Sequence, residues 1–311
     1  MAVKGVVLAA GKGSRLFPVT KAVAKPLLPL ANRMTMEYAF DQFKACGITE
    51  ACVVVGENEP ELRAALGDGA QFGMSLGFAR QDEPLGLAHA VRSAQRFVGG
   101  DDFMLYLGDA VYGQSLAPYV DQFRGAGAAN LNLVKAVDDP RRFGVATVEG
   151  DTIVRLVEKP ERPESNLAMA GMYIFGPQLW AVLPDLQPSA RGEYEITDAI
   201  QLLIDRGEKV VAGVYDGEWF DTGTLASFLA TSSFLVKGGV LIDGAANVEG
   251  ELLGHVVVGA GARVACESIE DTVVLPGASV RVRGAVRGCL LGGEIEAAGD
   301  LLDAVRHGGL K

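Results

Sequence analysis

The residues best suited to chemistry gather in a few short stretches. In LAAGKGSRLFPVTKAVAKPLLP, Leu8 to Pro29, two glycines, an arginine and three lysines follow an apolar run. A glycine-rich turn at the end of a buried strand exposes backbone N–H groups that suit phosphate oxygens. Gly11 and Gly13 permit close approach, and Arg15 adds a planar donor fork. Lys25, beside Pro26 in an otherwise apolar segment, is expected to face a site. Two familiar phosphate loops are excluded. A dinucleotide fingerprint needs glycine where Leu16 stands, and a Walker A loop needs glycine at Val6 and a hydroxyl at Gly13.

Asp109, in LYLGDA, follows a strand and should share a rim with the Gly11 turn, because ligands of open α/β sheets bind beyond the carboxyl ends of the strands. A carboxylate beside polyphosphate calls for a cation between them, and Mg2+ suits one or two carboxylates plus phosphate oxygens. Asp221, in EWFDTGT, is the candidate second ligand, although D-T-G reads equally well as a turn or as a helix N-cap before Leu225. Glu158-Lys159-Pro160 ends a strand; lysine suits a phosphate monoester and glutamate suits sugar hydroxyls. Gln81 ends another strand and offers an amide to a base edge, while Gly86 is expected to let a ring approach the following helix. His89, His255 and His307 show no metal spacing, and His255 has no evident acidic partner in the sequence.

Composition narrows the class. The 311 residues carry a net charge of −11 and 49% hydrophobic content, which suits a globular protein and argues against a general nucleic-acid surface. The four cysteines form no C-x-x-C pair and read as reduced thiols. No export signal or membrane span is visible, so a cytoplasmic location is expected.

These residues need a scaffold. Strands are expected at Val3–Ala9, Ala51–Val55, Met74–Arg80 and Phe103–Leu107, with helices at Met34–Cys46, Pro60–Leu66 and Gly86–Phe97. That alternation indicates βαβ units and a doubly wound sheet. From Asn130 short alternating runs suggest a mixed sheet, and helical patterns return at Glu195–Asp205 and Thr224–Val236. After Lys237-Gly238-Gly239 an aliphatic residue recurs about every six positions, as in hexapeptide repeats of a parallel β-helix, leaving room for about three coils of roughly eighteen residues. The expected division is therefore 1–237 and 238–311.

In order along the chain, LAAGKGSRLFPVT, AKPLLPL, Gln81 ahead of GLAHA, LGDAVYG, RRFGVATV, VEKPERPESN, GMYIF, ARGEYEITD and WFDTGT resemble the sugar-phosphate nucleotidylyltransferases. The likeness is greatest to the glucose-1-phosphate thymidylyltransferases. The resemblance implies a Rossmann-like, doubly wound mixed α/β sheet of the nucleotide-diphospho-sugar transferase type, followed by a short left-handed parallel β-helix as in longer members. It implies that dTTP reacts with glucose 1-phosphate in the presence of Mg2+ to give a nucleotide sugar and pyrophosphate; one 5-methyl contact, worth only ~1–3 kcal/mol, leaves UTP as a second nucleotide. By position, Leu8, Ala9, Ala10, Gly11 and Gly13 would hold the nucleotide, Arg15 and Lys25 the triphosphate, and Asp109 with Asp221 the metal. Gln81 and Gly86 would meet the base. Gly144, Glu158, Lys159, Gly171 and Tyr173 would meet the sugar phosphate, with Trp219 nearby. The pattern departs at Ala110, where many relatives have Asn, at Ala10, where shorter ones have Gly, and at Leu85, where an acid is usual.

The residues account for such a reaction on their own terms. A sugar-phosphate oxygen is already an anionic nucleophile, so positioning and charge neutralisation replace a general base. Arg15, Lys25, Asp109 and Lys159 are the expected catalytic set. UDP-sugar and GDP-mannose pyrophosphorylases are the rivals within the class, and a non-catalytic nucleotide-sugar-binding subunit is the rival outside it. No nucleic-acid or membrane partner is expected; the tail reads as an oligomerisation or effector element, and the chain as a homo-oligomer.

Overall fold

Val3–Leu8 is third from one edge of a nine-stranded sheet, paired in parallel with Glu50–Val55 on one side and Asp102–Leu107 on the other. In a computed structural model describing residues 2–309, the spatial order is Ser75–Arg80, Glu50–Val55, Val3–Leu8, Asp102–Leu107, Leu167–Phe175, Asn130–Ala136, Val210–Val214, Thr152–Glu158, Gly144–Glu149. The first four strands run parallel, and the inner three are the largely buried apolar segments that such a sheet requires. Leu167–Phe175 runs antiparallel to both of its main neighbours, making the sheet mixed. Its register shifts between Met169 and Tyr173, where Gly171 has φ +79°.

The chain divides into two compact units. One comprises the residues up to Gly11 with Ala39–Trp219, and the other Lys12–Tyr38 with Phe220 onward. The position expected as a boundary, near residue 238, lies within the second of these.

In the first unit, Val6, Val54, Phe103, Leu105 and Phe175 share a core with Ala199, Ile200 and Leu203. The last three lie on helix Ile196–Asp205, whose buried positions Ile196, Ala199, Ile200 and Leu203 follow the i, i+3, i+4, i+7 pattern. Truncating such a leucine to alanine costs about 2–5 kcal/mol. Gln201 Oε1 accepts from Leu156 N at 2.8 Å, fastening this helix to Thr152–Glu158. The single helix expected from Gly86 to Phe97 is two, Leu87–Ser93 and Gln95–Val98, with Ala94 between them.

In the second unit, no long open loop follows Gly13: short turns form at Ser14–Leu16, Val19–Ala22 and Lys25–Leu27. A hairpin then pairs Pro29 with Met34 and Leu30 with Arg33. Helix Leu225–Leu235 is capped by Thr224, which exchanges a capping box with Ser227, so the cap is not Asp221. Beyond it, parallel strands stack with partners 16 residues apart (Asn247 and Arg263), 17 apart (Ser268 and Ala285) and 15 apart (Ser279 and Glu294). These rungs are shorter than the eighteen residues expected. Gly261, Gly277 and Gly293, at φ +69°, +71° and +67°, turn successive rungs through the left-handed region. Val258, Val264, Ile269, Val280, Val286 and Leu291 fill the interior. His255 does have an acidic partner: Asp271 Oδ1 lies 3.0 Å from its Nδ1 and accepts from its backbone N at 3.1 Å. It is buried, at 4% exposure, within strand Asn247–Val258. Among the described residues no helix is long and apolar enough to cross a membrane.

Candidate active site

The rim of the first unit's sheet collects most of the expected residues. Gly108 N donates to Leu8 O at 3.0 Å, and a Cβ on Gly108 would stand 2.7 Å from that oxygen. Glycine is therefore needed for the turn carrying half-buried Asp109 to close on Leu8. Ala9 N donates to Val54 O at 2.8 Å, and Asn58 Nδ2 donates to Ala9 O at 2.8 Å. Asn58 Oδ1 also accepts from Gly56 N at 3.1 Å, so one side chain ties the end of Val3–Leu8 to that of Glu50–Val55. Sequence reading missed Asn58; its place just after a strand, in GEN, was the available signal. Ala10 lies against Gly56, while Gly11 is exposed, with open space where a Cβ would lie.

Gln81 continues this rim. Its backbone N donates to Val55 O at 2.8 Å, and its amide Nε2 lies 3.3 Å from Gly86 O and 3.2 Å from His89 Nδ1. With its nitrogen so placed, the amide keeps its carbonyl oxygen as an acceptor. The reason for glycine at 86 differs from the one expected. Its φ is +111°, and a Cβ there would fall 2.6 Å from Tyr194 O and 2.7 Å from Tyr194 N. Backbone of the ARGEYEITD segment, and not a ligand ring, fills that space. Tyr194 in turn stacks on His89, with ring centroids 6.5 Å apart.

A second cluster surrounds Glu158. Glu158 pairs with Gly144, and Val145 pairs with Ala168, which brings both residues beside the Gly171 bulge. A Cβ on Gly144 would meet Met169 Sδ at 2.6 Å and Glu158 Oε2 at 3.2 Å, and one on Gly171 would meet Leu107 at 2.9 Å. Thr197 Oγ1 donates to Glu158 Oε2 at 2.5 Å. Lys159 Nζ lies 3.4 Å from Glu158 Oε1, and Lys159 is held at φ +43°, rare for a side-chain-bearing residue, by its N–H bond to Phe143 O at 3.0 Å. Trp219 packs on Phe143 with centroids 5.3 Å apart, and its indole N–H is buried with no partner.

Arg191 is the largest omission of the sequence reading. Its Nη2 donates to buried Glu195 Oε1 at 2.7 Å and lies 3.4 Å from Glu158 Oε1. The Glu195 hydrogen bond holds the guanidinium above its ordinary pKa. Burial, then the nearby Glu195 and Glu158 carboxylates, push Asp198 up against the opposing pull of Arg191. Burial, then Glu158, likewise raise the Tyr173 phenol. Carboxylates outnumber the cations here. The cluster therefore suits a molecule with both hydroxyls and a phosphate, the first donating to Glu158 and the second accepting from Lys159 and Arg191.

The remaining candidates belong to the second unit. The stem of Lys25 packs on Gly13, where a Cβ would meet Lys25 Cβ at 3.0 Å, and Thr20 Oγ1 donates to Gly13 O at 2.8 Å. Arg15 and Asp221 converge beside Gly223: a Cβ there would lie 2.8 Å from Asp221 Oδ1 and 3.2 Å from Arg15 Nη2. Among the described residues no three His, Cys, Asp or Glu side chains gather as a ready-made metal cage. Asp109 and Asp221 are hard oxygen donors, the kind that suits a cation completing its shell from phosphate oxygens and water.

The family profile described as Nucleotidyl transferase matches residues 4–238, and the chain belongs to that family. A glucose-1-phosphate thymidylyltransferase of Streptomyces griseus is 38% identical over 281 residues, 90% of this chain and 79% of that protein. Its namesake from Streptomyces antibioticus is 40% identical over 275 residues, 88% of this chain and 77% of that protein. Among solved structures, a Bacillus anthracis protein described as a glucose-1-phosphate thymidylyltransferase, in complex with sucrose, superposes with TM-score 0.70 at 35% identity. That match covers 75% of this chain and 95% of the other.

Proposed function

We propose that the chain transfers dTMP from dTTP to glucose 1-phosphate, giving dTDP-glucose and pyrophosphate. The observation that carries this reading is the placement of Gln81, Asp109 and the Glu158–Lys159–Arg191 cluster along the rim of one sheet. The amide oxygen of Gln81 would accept from a base that presents a ring N–H, as thymine and uracil do and cytosine does not. The relatives' names favour thymine. The 5-methyl group separates dTTP from UTP by only ~1–3 kcal/mol, so UTP is the expected second substrate.

In this reading Ala10, Gly11 and Gly13 carry the nucleotide through backbone N–H groups, Leu8 and Ala9 fix that turn to the strand end, and Gly86 shapes the turn beside the base. Arg15 and Lys25 take up charge on the leaving pyrophosphate. Lys159, with Arg191, holds the sugar phosphate and orients its oxygen for in-line attack, while Glu158 accepts from a sugar hydroxyl. Gly144 lets Glu158 and Met169 close in beside that space, Gly171 lets its strand close on Leu107, and Tyr173 and Trp219 wall the space. Asp109 and Asp221 would hold Mg2+, which when bound supplies positive charge to the phosphates. We further assign residues 1–237 the chemistry and the segment 238–311 to a left-handed parallel β-helix domain, in a cytoplasmic homo-oligomer. Five nucleoside triphosphates assayed against glucose, galactose and mannose 1-phosphates would test the assignment. The highest kcat/KM is expected for dTTP with glucose 1-phosphate; a preference for ATP or GTP would overturn it.

A further inference from the structure

We propose that the C-terminal stack of strands is a positioning scaffold for the triphosphate loop, with Asn32 as the tether. The inference rests on the reading of Lys12–Pro29 as that loop. Lys12–Tyr38 and the residues from Phe220 onward form one compact unit, although about 180 residues separate them in sequence. The loop is fixed at three successive points. Helix Val19–Ala22 packs on strands Leu290–Gly292 and Val305–His307. Pro29–Leu30 packs on helix Leu225–Leu235, which itself lies against Asn247–Val258 and Arg263–Val274. Beyond it, the hairpin turns through Ala31 and Asn32 at φ +49° and +58° and plants Asn32 on the stack.

Asn32 Nδ2 donates to Val258 O at 3.1 Å, 226 residues away. That oxygen already accepts from Asp243 N at 3.0 Å, and Val258 is fully buried between rungs. The Asn32 carbonyl oxygen is buried with no partner. Asparagine suits a left-handed turn, but a turn facing solvent would satisfy both ends of its amide. Here one end is stranded so that the other can reach the stack.

The candidate cations lie along the stretch so held. Arg15 precedes Val19 by four residues, and Lys25 lies between Ala22 and Pro29. Thr20 Oγ1 reaches back from the short helix to Gly13 O at 2.8 Å. A loop that must order itself around a ligand loses conformational entropy on binding, whereas a preorganised loop has already lost it. The scaffold should therefore be felt in nucleotide affinity and not in the handling of sugar phosphate.

The test uses full-length Asn32→Asp and Asn32→Gly. Both residues tolerate a left-handed backbone, so each removes the donated N–H without forcing the turn open. The KM for dTTP is expected to rise about fivefold to tenfold, the effect of one lost hydrogen bond. Asp is expected to exceed Gly, because its carboxylate faces a carbonyl oxygen. The KM for glucose 1-phosphate should stay within about twofold. An unchanged KM for dTTP in both variants, or a fall in kcat alone from lost active protein, would overturn the scaffold. No turnover by the unsubstituted chain would instead overturn the functional reading, and this inference with it.

Discussion

Glu158 and Lys159 place opposite charges one residue apart at a strand end, and the cluster around them decides what can bind. Lys159→Met should lower kcat by ~10²–10³ while leaving the circular dichroism spectrum unchanged, as loss of one preorganised charge contact does. Wild-type turnover in that variant would remove Lys159 from the account. Gln81→Met removes the amide and its acceptor oxygen, so the preference for dTTP over dCTP should narrow about tenfold or more. Competition kinetics with the two nucleotides would measure it. The position of these two residues was legible because each ends a strand, and a strand end in an open sheet predicts a rim. Arg191 was not legible. It follows no strand; the contacts of Thr197 and Arg191 with Glu158 bring its segment to the cluster, and both are matters of tertiary packing.

At the scale of elements, the ARGEYEITD segment and the turn at Gly86 are built against each other. Tyr194 N donates to Leu85 O at 2.7 Å, and Ala88 N donates to Tyr194 O at 3.0 Å. Gly86→Ala should thus destabilise the fold by several kcal/mol, since it adds a clash with backbone to an unfavourable φ. Thermal denaturation would report it, and an unchanged midpoint would show that Tyr194 can move aside. Helix Ile196–Asp205 also carries an electrostatic cost. Burial and two carboxylates raise the Asp198 pKa in the folded state, so the fold favours its protonated form. That contribution is fully present below the ordinary aspartate pKa and is lost as pH rises through the elevated one. Asp198→Asn should therefore melt above the parent at pH 7, with the gap closing by pH 3. A gap that widened on acidification would contradict the assignment. The helix itself was plain in the sequence because its apolar spacing is regular. The break at Ala94 was not, because alanine carries no stop signal.

Over the whole molecule, the βαβ alternation and the shift to six-residue periodicity were readable, since each reflects a repeating burial pattern. The length of the rungs was not, because turn geometry, and not aliphatic spacing, decides whether a rung closes in fifteen residues or eighteen. Nor did the sequence reveal that Lys12–Tyr38 would pack with the C-terminal residues, a long-range contact that no local pattern encodes. Thiol chemistry gives a global check. Burial pushes Cys52 up to about 12, and burial with nearby Asp121 does the same to Cys46. Both thiols should resist disulfide reagents at pH 8 in the folded protein and react only on unfolding; rapid modification without loss of structure would refute this. The central claim is nucleotidyl transfer to a sugar phosphate, and phosphorus NMR of dTTP with glucose 1-phosphate and Mg2+ tests it most directly. The account predicts dTDP-glucose and pyrophosphate in equal amounts, neither forming when glucose 1-phosphate is omitted. Absence of both products, or pyrophosphate released without the sugar phosphate, would contradict it.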